Sequence, residues 1–201
     1  MNKRCTLSAA KELNKIFFEI IIAPSFDSGA LSLFSKKKNL RVLSLGKYKP
    51  KKSFGKEIAG GWVIQETDLS KISASKQKTV TKKAPTKAQL SALAFAWKTV
   101  KHTKSNAVVV AYNKKIISIS GGQTSRVDAV KYALTKTRIP SGAVLASDAF
   151  FPFRDSVDLM AKYKIKSIIQ PGGSIKDKEV IMACDKYGIS MVFTGTRVFK
   201  H

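Results

Sequence analysis

The densest run of side chains capable of chemistry is Ser147-Asp148-Ala149-Phe150-Phe151-Pro152-Phe153-Arg154-Asp155, which gathers three phenylalanines, two carboxylates and an arginine. A planar heteroaromatic ligand can stack on a phenylalanine there while a carboxylate accepts its ring N–H groups. The competing interpretation puts the rings in the core and lets Arg154 and Asp155 border the next helix. A second candidate is Ser120-Gly121-Gly122-Gln123-Thr124-Ser125-Arg126, whose backbone N–H groups and cation suit an anion. It carries neither a Walker lysine pattern nor GxGxxG, so a plain strand-to-helix turn competes with anion binding. Pro171-Gly172-Gly173-Ser174 reads as a turn with Ser174 as a helix N-cap. Near the end of the chain Arg197 is placed to grip a phosphate, against the alternative of a frayed basic tail.

His102 and His201 are the only histidines, and no Ser-His-Asp or Cys-His arrangement follows from their spacing. The zinc deaminase pattern of His-x-Glu with Cys-x-x-Cys is missing. Cys5 and Cys184 stand far apart with no paired Cys or His. No metal site, and zinc in particular, is therefore expected.

The 201 residues carry 37 Lys and Arg against 13 Asp and Glu, a net charge of +24. Such a field attracts anionic partners, nucleic acid among them. Only six of these cations are arginines, however, the residue suited to bidentate phosphate and base contacts, so a general lysine bias is an equally good explanation. With 44% hydrophobic residues the chain has the apolar content of a folded protein. The apolar run Ile16–Ala23 is interrupted by Glu19 and is too short for a membrane span, and no cleavable leader follows Met1-Asn2-Lys3-Arg4. A reducing cytoplasm is the expected compartment, with no membrane partner.

These residues must be positioned by elements whose signals alternate along the chain. Residues 5–45 read as helix, strand, helix, strand, with a buried strand at Phe17–Ile22, a helix capped by Ser25 or Asp27 and running through Ser35, and a strand at Leu40–Leu45. From Gly46 to Lys56 the pattern dissolves, a short strand follows at Trp62–Ile64, and Thr67–Ala84 reads as a lysine-rich linker. Thr86 opens a helix with Leu90, Leu93, Ala94, Trp97 and Val100 on one face. Strands at Ala107–Ala111 and Ile116–Ser120 flank an Asn113-Lys114 turn that lacks the usual glycine. After them come a helix near Arg126–Lys136, a strand at Ala143–Ala146, a helix at Arg154–Tyr163, a strand at Ser167–Ile169, a helix at Lys176–Tyr187 and a strand at Met191–Phe193. The predicted fold is α/β, a mixed and mostly parallel sheet with helices on both faces and ligands at the strand ends.

The segments VKHTKSNAVVV, SGGQTSRVDAV, ASDAFFPFRDSVDLM, QPGGSIKDKEVI and TGTRVFKH, with FFEIIIAPSFDSGAL and KKKNLRVL upstream, resemble the AICAR transformylase family over roughly residues 8–201. The resemblance implies formyl transfer from the cosubstrate 10-formyltetrahydrofolate to 5-aminoimidazole-4-carboxamide ribonucleotide (AICAR) in IMP biosynthesis. It also implies a homodimer with sites between subunits, a monovalent cation near the C-terminus, and cytidine-deaminase-like lobes without zinc. On that basis residues 1–66 are the remainder of a first lobe, 67–84 a linker and 85–201 the C-terminal lobe. Carried over by motif, Asn106 orients the carboxamide or formyl group, Arg126 and Arg197 hold the nucleotide, and Phe150 lines the base. Val127, Pro152, Phe153 and Asp155 face the folate.

In the family the acid-base Lys-His pair belongs to a KHxxP-type motif, which this chain does not contain, nor does it contain the IMP cyclohydrolase domain. Lys101-His102 looks like the counterpart of that pair in the second lobe and is a candidate participant on geometry alone. Ser118 and Ser120 stand where the family more often has glycine. The expectation is a C-terminal half that is inactive alone and needs the missing N-terminal half. The alternative is an inactive lobe that uses its lysines to bind RNA or another polyanion.

Overall fold

The computed structural model describes residues 1–47, 49, 51–69 and 77–201. They divide into two compact units, Met1–Thr67 and Asp68–His201.

In the first unit, α1 (Leu7–Asn14), β1 (Ile20–Ala23), α2 (Ser28–Phe34) and β2 (Arg41–Ser44) follow one another, and β1 pairs in parallel with β2. Thr6 caps α1, its Oγ1 accepting from the Ala9 N–H at 3.2 Å. Asp27 precedes α2 but caps nothing with its side chain; its carboxylate accepts from the Leu7 N–H at 3.2 Å and pairs with Arg4, tying the two helix starts together. Ala10, Ile21, Ala23, Ala30 and Phe34 form the core between the helices and one face of the β1/β2 pair. The strand expected at Phe17–Ile22 begins only at Ile20, because the chain is still turning at residues 15 and 16, whose N–H groups donate to Glu12 and Leu13. Phe17 is consequently 85% exposed.

The region expected to lose its pattern after Gly46 instead contains β3 (Ser53–Ile58), which forms an antiparallel hairpin with β4 (Gly61–Glu66). Here the closing turn carries the information: Gly60 takes a φ of +85°, open to glycine at no steric cost.

The second unit is built on a six-stranded sheet of order β5-β10-β9-β8-β6-β7. Its elements are β5 (Lys78–Thr79), α3 (Lys87–Val100), β6 (Val108–Tyr112), β7 (Lys115–Ser120), α4 (Arg126–Thr135), β8 (Val144–Ser147), α5 (Asp155–Lys162), β9 (Ser167–Gln170), α6 (Asp177–Tyr187) and β10 (Ser190–Phe193). Only the pairings β8/β9 and β9/β10 are parallel; β5, β6 and β7 each pair antiparallel with their neighbours. The sheet is therefore mixed but not mostly parallel. The tight Asn113-Lys114 turn reverses the chain directly after β6, with Asn113 at φ +54°, a left-handed conformation that asparagine tolerates in place of glycine. Part of the stretch expected as linker belongs to this sheet: β5 pairs with β10, and Thr81 Oγ1 accepts from the Met191 N–H at 2.9 Å. Residues 70–76 of that stretch lie outside the described residues.

Helices cover both faces, as expected. Residues of α3, Ala92, Leu93, Ala96, Trp97 and Val100, pack with Val109, Ala146, Ile169 and Val192 on one side. Residues of α4, α5 and α6 pack with Val108, Val110, Leu145, Ile168 and Met191 on the other. The alternation along each strand thus sends successive residues into two separate cores. Thr86 and Gln89 close a full capping box on α3, with the Thr86 N–H donating to Gln89 Oε1 at 2.8 Å.

Both cysteines are free and fully buried. Burial, with Asp185 adding to it, pushes the Cys184 thiol up to about 12, and burial with Asp27 raises that of Cys5. Neither thiol is expected to react with Ellman's reagent in the native chain at mildly alkaline pH, whereas both react in denaturant. A prompt native reaction of one equivalent would contradict this burial.

Candidate functional site

The parallel strands β8, β9 and β10 point their C-terminal ends in one direction, and β6 enters the sheet from that same end because it runs antiparallel to β8. The segments that precede β6 and follow β7, β8, β9 and β10 therefore meet at one edge of the sheet. Ligands on such sheets gather there because loop backbone and helix N-termini converge.

The centre of this edge is an ion pair between Arg126, the first residue of α4, and Asp148, just past β8. The Arg126 side chain is 6% exposed and that of Asp148 is fully buried. Arg126 Nη1 donates to Asp148 Oδ1, to the Ala107 carbonyl at 3.1 Å and to Ser147 Oγ at 3.1 Å. Its Nη2 donates to Asn106 Oδ1 at 2.8 Å. Asp148 in turn accepts from Ser105 Oγ and from the Ala107 N–H at 3.1 Å. A buried charge pair survives only when its remaining lone pairs and protons are matched in this way.

The network orients Asn106. Its Oδ1 faces a guanidinium, which only donates, and its Nδ2 donates to the Gln123 carbonyl at 2.8 Å, which only accepts. The two partners leave no freedom to flip the carboxamide. One Nδ2 proton remains for a ligand. Gly121 lets the β7–α4 loop approach this spot: a Cβ there would lie 2.5 Å from Thr103 Cγ2 and 2.9 Å from the Lys104 carbonyl oxygen. Ser125 starts α4 as its N-cap, its side chain accepting from the Asp128 N–H at 3.1 Å.

At the rim, the guanidinium of Arg197 lies over the Phe150 ring, 4.9 Å from its centroid. Arg197 is exposed and Phe150 half-buried. The C-terminal segment is held to the site by the Val198 N–H donating to the Asp148 carbonyl at 3.1 Å and by the Ser105 N–H donating to the Lys200 carbonyl at 2.9 Å. Gly172, at φ +75°, brings the β9–α6 turn against Phe193, whose ring a Cβ would meet at 2.5 Å.

The remaining expected site residues are distributed as follows. Val127 and Pro152 are half-buried, while Phe153 is exposed. Asp155 opens α5 and accepts from the Ser156 N–H at 2.6 Å. Lys101 Nζ pairs with Asp68 at 3.1 Å in a mostly buried setting, and His102 is exposed, its carbonyl accepting from Lys200 Nζ at 3.1 Å. Arg154 grips Asp158 through two nitrogens, at 3.0 and 2.9 Å, and Tyr187 donates to the same carboxylate at 2.8 Å. These hydrogen bonds, led by that from Arg154, hold Asp158 below the usual carboxylate range.

Sequence reasoning had singled out Asn106 and Arg126 separately. It missed Asp148, Ser147, Ser105 and Gln123 as the groups that join them. The available signal was a Ser-Asp pair directly after the apolar run Val144-Leu145-Ala146, where a carboxylate has no reason to be unless something buried needs its charge. Among the described residues no three His, Cys, Asp or Glu side chains are grouped to hold a metal ion. No helix among them is long and apolar enough to cross a membrane.

The chain is 48% identical over 204 residues to the bifunctional purine biosynthesis protein PurH of Aquifex aeolicus, 50% over 208 residues to that of Persephonella marina and 46% over 211 residues to that of Lactococcus lactis. In each case all of this chain is covered but only 40% of the relative, so it spans about two-fifths of their length. A family model described as the AICARFT/IMPCHase bienzyme matches residues 1–136, a stretch that contains the first unit, Asn106 and Arg126. With that match and these identities, the chain belongs to the AICARFT/IMPCHase bienzyme family.

Proposed function

We propose that this chain is the C-terminal part of an AICAR transformylase, with its second unit a cytidine-deaminase-like lobe that binds the substrates of formyl transfer. The clamped carboxamide of Asn106, held by Arg126 and the Gln123 carbonyl, carries this reading. In the reaction the amine of AICAR attacks the formyl carbon of 10-formyltetrahydrofolate. A C–N bond forms to the ribonucleotide, the C–N10 bond breaks, and the proton lost by the amine ends on N10 of tetrahydrofolate.

An aromatic amine conjugated to a carboxamide is a poor nucleophile, so alignment and charge stabilisation supply most of the acceleration. The free Nδ2 proton of Asn106 would hold the carboxamide or formyl oxygen in a fixed direction. Arg126 would serve chiefly by positioning Asn106, beside its contribution to the positive field on the nucleotide. Arg197 would hold the phosphate and Phe150 would stack against the base, with Val127, Pro152, Phe153 and Asp155 lining the folate side. The reading includes a cytoplasmic homodimer with sites between subunits, and an acid-base pair supplied by polypeptide other than this chain.

The direct test is tetrahydrofolate formation from 10-formyltetrahydrofolate and AICAR. The chain alone is expected to bind nucleotide without turnover, and activity is expected when the rest of the relatives' length is supplied as a second polypeptide. Turnover by the chain alone would move Lys101 and His102 to the centre of the mechanism.

A further inference from the structure

The edge of the six-stranded sheet opposite to Asn106 is built from the segments that leave β5 and β6 and those that enter β7, β8, β9 and β10. Lys82 and Lys83 follow β5, Lys164 and Lys166 lead into β9, and Lys114 and Lys115 lie at the β6–β7 turn. All are exposed except Lys166, which is half-buried where its N–H donates to the Ala143 carbonyl at 3.0 Å. The strand order β5-β10-β9-β8-β6-β7 sets these three pairs two strands apart. At roughly 4.8 Å per strand they make a row about 24 Å long.

Carboxylates are withdrawn from this row. Asp128, Asp155, Asp158, Asp177 and Glu179 stand in the first turns of α4, α5 and α6, and Asp148 follows β8, all toward the other edge. Among the described residues of the second unit Asp185 is the one acid near the lysines, and it accepts the Lys82 N–H at 2.8 Å. Helix dipoles favour acids at those N-termini but do not account for cations on strand connections such as Lys82, Lys114 and Lys115. A general lysine bias explains the total of 37 cations and not a row without acids. Two aromatic rings border the row. Tyr112 ends β6 and is 40% exposed; Tyr187 ends α6 and is 38% exposed, with the Lys186 ammonium 5.8 Å from its ring centroid. The Tyr187 hydroxyl donates to Asp158 at 2.8 Å, which fixes that ring.

We infer that this edge of the second unit binds single-stranded nucleic acid, the lysine row tracking the phosphates while bases stack on Tyr112 and Tyr187. Lysines act as point charges that follow a backbone without reading sequence, and an exposed ring accepts any base. A duplex keeps its base faces stacked away from such rings. A lipid surface calls for exposed apolar side chains beside the cations, whereas Ile165 and Ile189, the aliphatic residues between these lysines, are buried. The inference does not rest on the transformylase reading, whose residues Asn106, Arg126 and Arg197 lie at the other edge.

The test is fluorescence anisotropy of the full chain with a labelled uridine RNA of about 12 nucleotides, between about 50 and 200 mM salt. Binding is expected, and it weakens as salt rises. Lys82→Glu/Lys114→Glu/Lys164→Glu takes one position from each connection and is expected to weaken binding by about tenfold or more. Lys104→Glu/Lys176→Glu/Lys178→Glu makes the same charge change at the other edge and is expected to cost less than about threefold. Lys82→Gln/Lys114→Gln/Lys164→Gln repeats the comparison should charge reversal disturb folding, with circular dichroism reporting the fold of each variant. Tyr112→Ser is expected to weaken RNA binding by about fivefold while leaving binding of inorganic polyphosphate unchanged. No binding at the lower salt, equal losses from the two edges, or an unchanged affinity of Tyr112→Ser for RNA overturns the assignment. So does tighter binding of the same RNA annealed to its adenosine complement, or displacement of the RNA by phosphatidylserine vesicles that bind the same lysines.

Discussion

Replacing Asp148 with alanine is expected to lower the thermal midpoint of the chain by about 6–20 °C, read by circular dichroism. The carboxylate is fully buried and holds the Arg126 guanidinium, Ser105 Oγ and the Ala107 N–H at once. Its removal strands a guanidinium with almost no access to water. Breaking a buried pair from one side costs about 3–5 kcal/mol, a large part of the roughly 5–15 kcal/mol that stabilises a typical domain. At about 2–4 °C per kcal/mol for a chain of this size, the loss is large enough to see without ambiguity. Asp148→Asn keeps an oxygen for Arg126 and is expected to lie between the wild type and alanine. A midpoint unchanged by the alanine substitution would show that the pair does not organise this edge of the sheet, and Asn106 would lose the support on which the proposed function depends.

The second large effect is expected on binding rather than stability. Arg197→Ala should weaken AICAR binding by about tenfold to a hundredfold, the range for losing a charge-assisted hydrogen bond. Its guanidinium is exposed and rests on Phe150, so its removal leaves the core untouched and the melting temperature close to that of the wild type. Isothermal titration with AICAR reads the effect. Binding of an RNA oligomer on the same samples provides the contrast, because one charge among 37 cations changes a delocalised polyanion interaction only slightly. Unchanged nucleotide affinity combined with a marked loss of RNA binding would favour the polyanion module over the transformylase.

The local elements around the site were legible because short-range rules govern them. Thr86 and Gln89 sit at the spacing of a capping box, α3 repeats its apolar positions with helical period, and strands of the second unit are short apolar runs bounded by turn residues. The β6–β7 hairpin followed from the strands even without a glycine, since Asn113 supplies the positive φ. The resemblance of ordered motifs to a family was equally a property of the sequence, and the comparisons bear it out at the level of the family.

Strand direction and partnership were not legible. That β6 runs antiparallel to β8, and that β5 joins the sheet from within a lysine-rich stretch, depend on pairings between residues far apart in the chain. Hydrophobic pattern is the same for a buried strand of either direction, so it cannot choose between them. Of the β3–β4 hairpin only the Trp62–Ile64 run inside β4 was legible; β3 escaped detection because its residues are mostly exposed on both faces, which erases the alternation that reveals a strand.

The same division runs through the site. Residue types nominated Arg126, Arg197 and the phenylalanine-rich run that holds Phe150, and the family resemblance added Asn106. Only the tertiary structure joined Arg126 to Asp148 across 22 positions and turned Asn106 into a clamped group. An ion pair formed by loops at the ends of non-adjacent β-strands leaves no spacing signature, because the sheet and not the local chain sets the distance between its members.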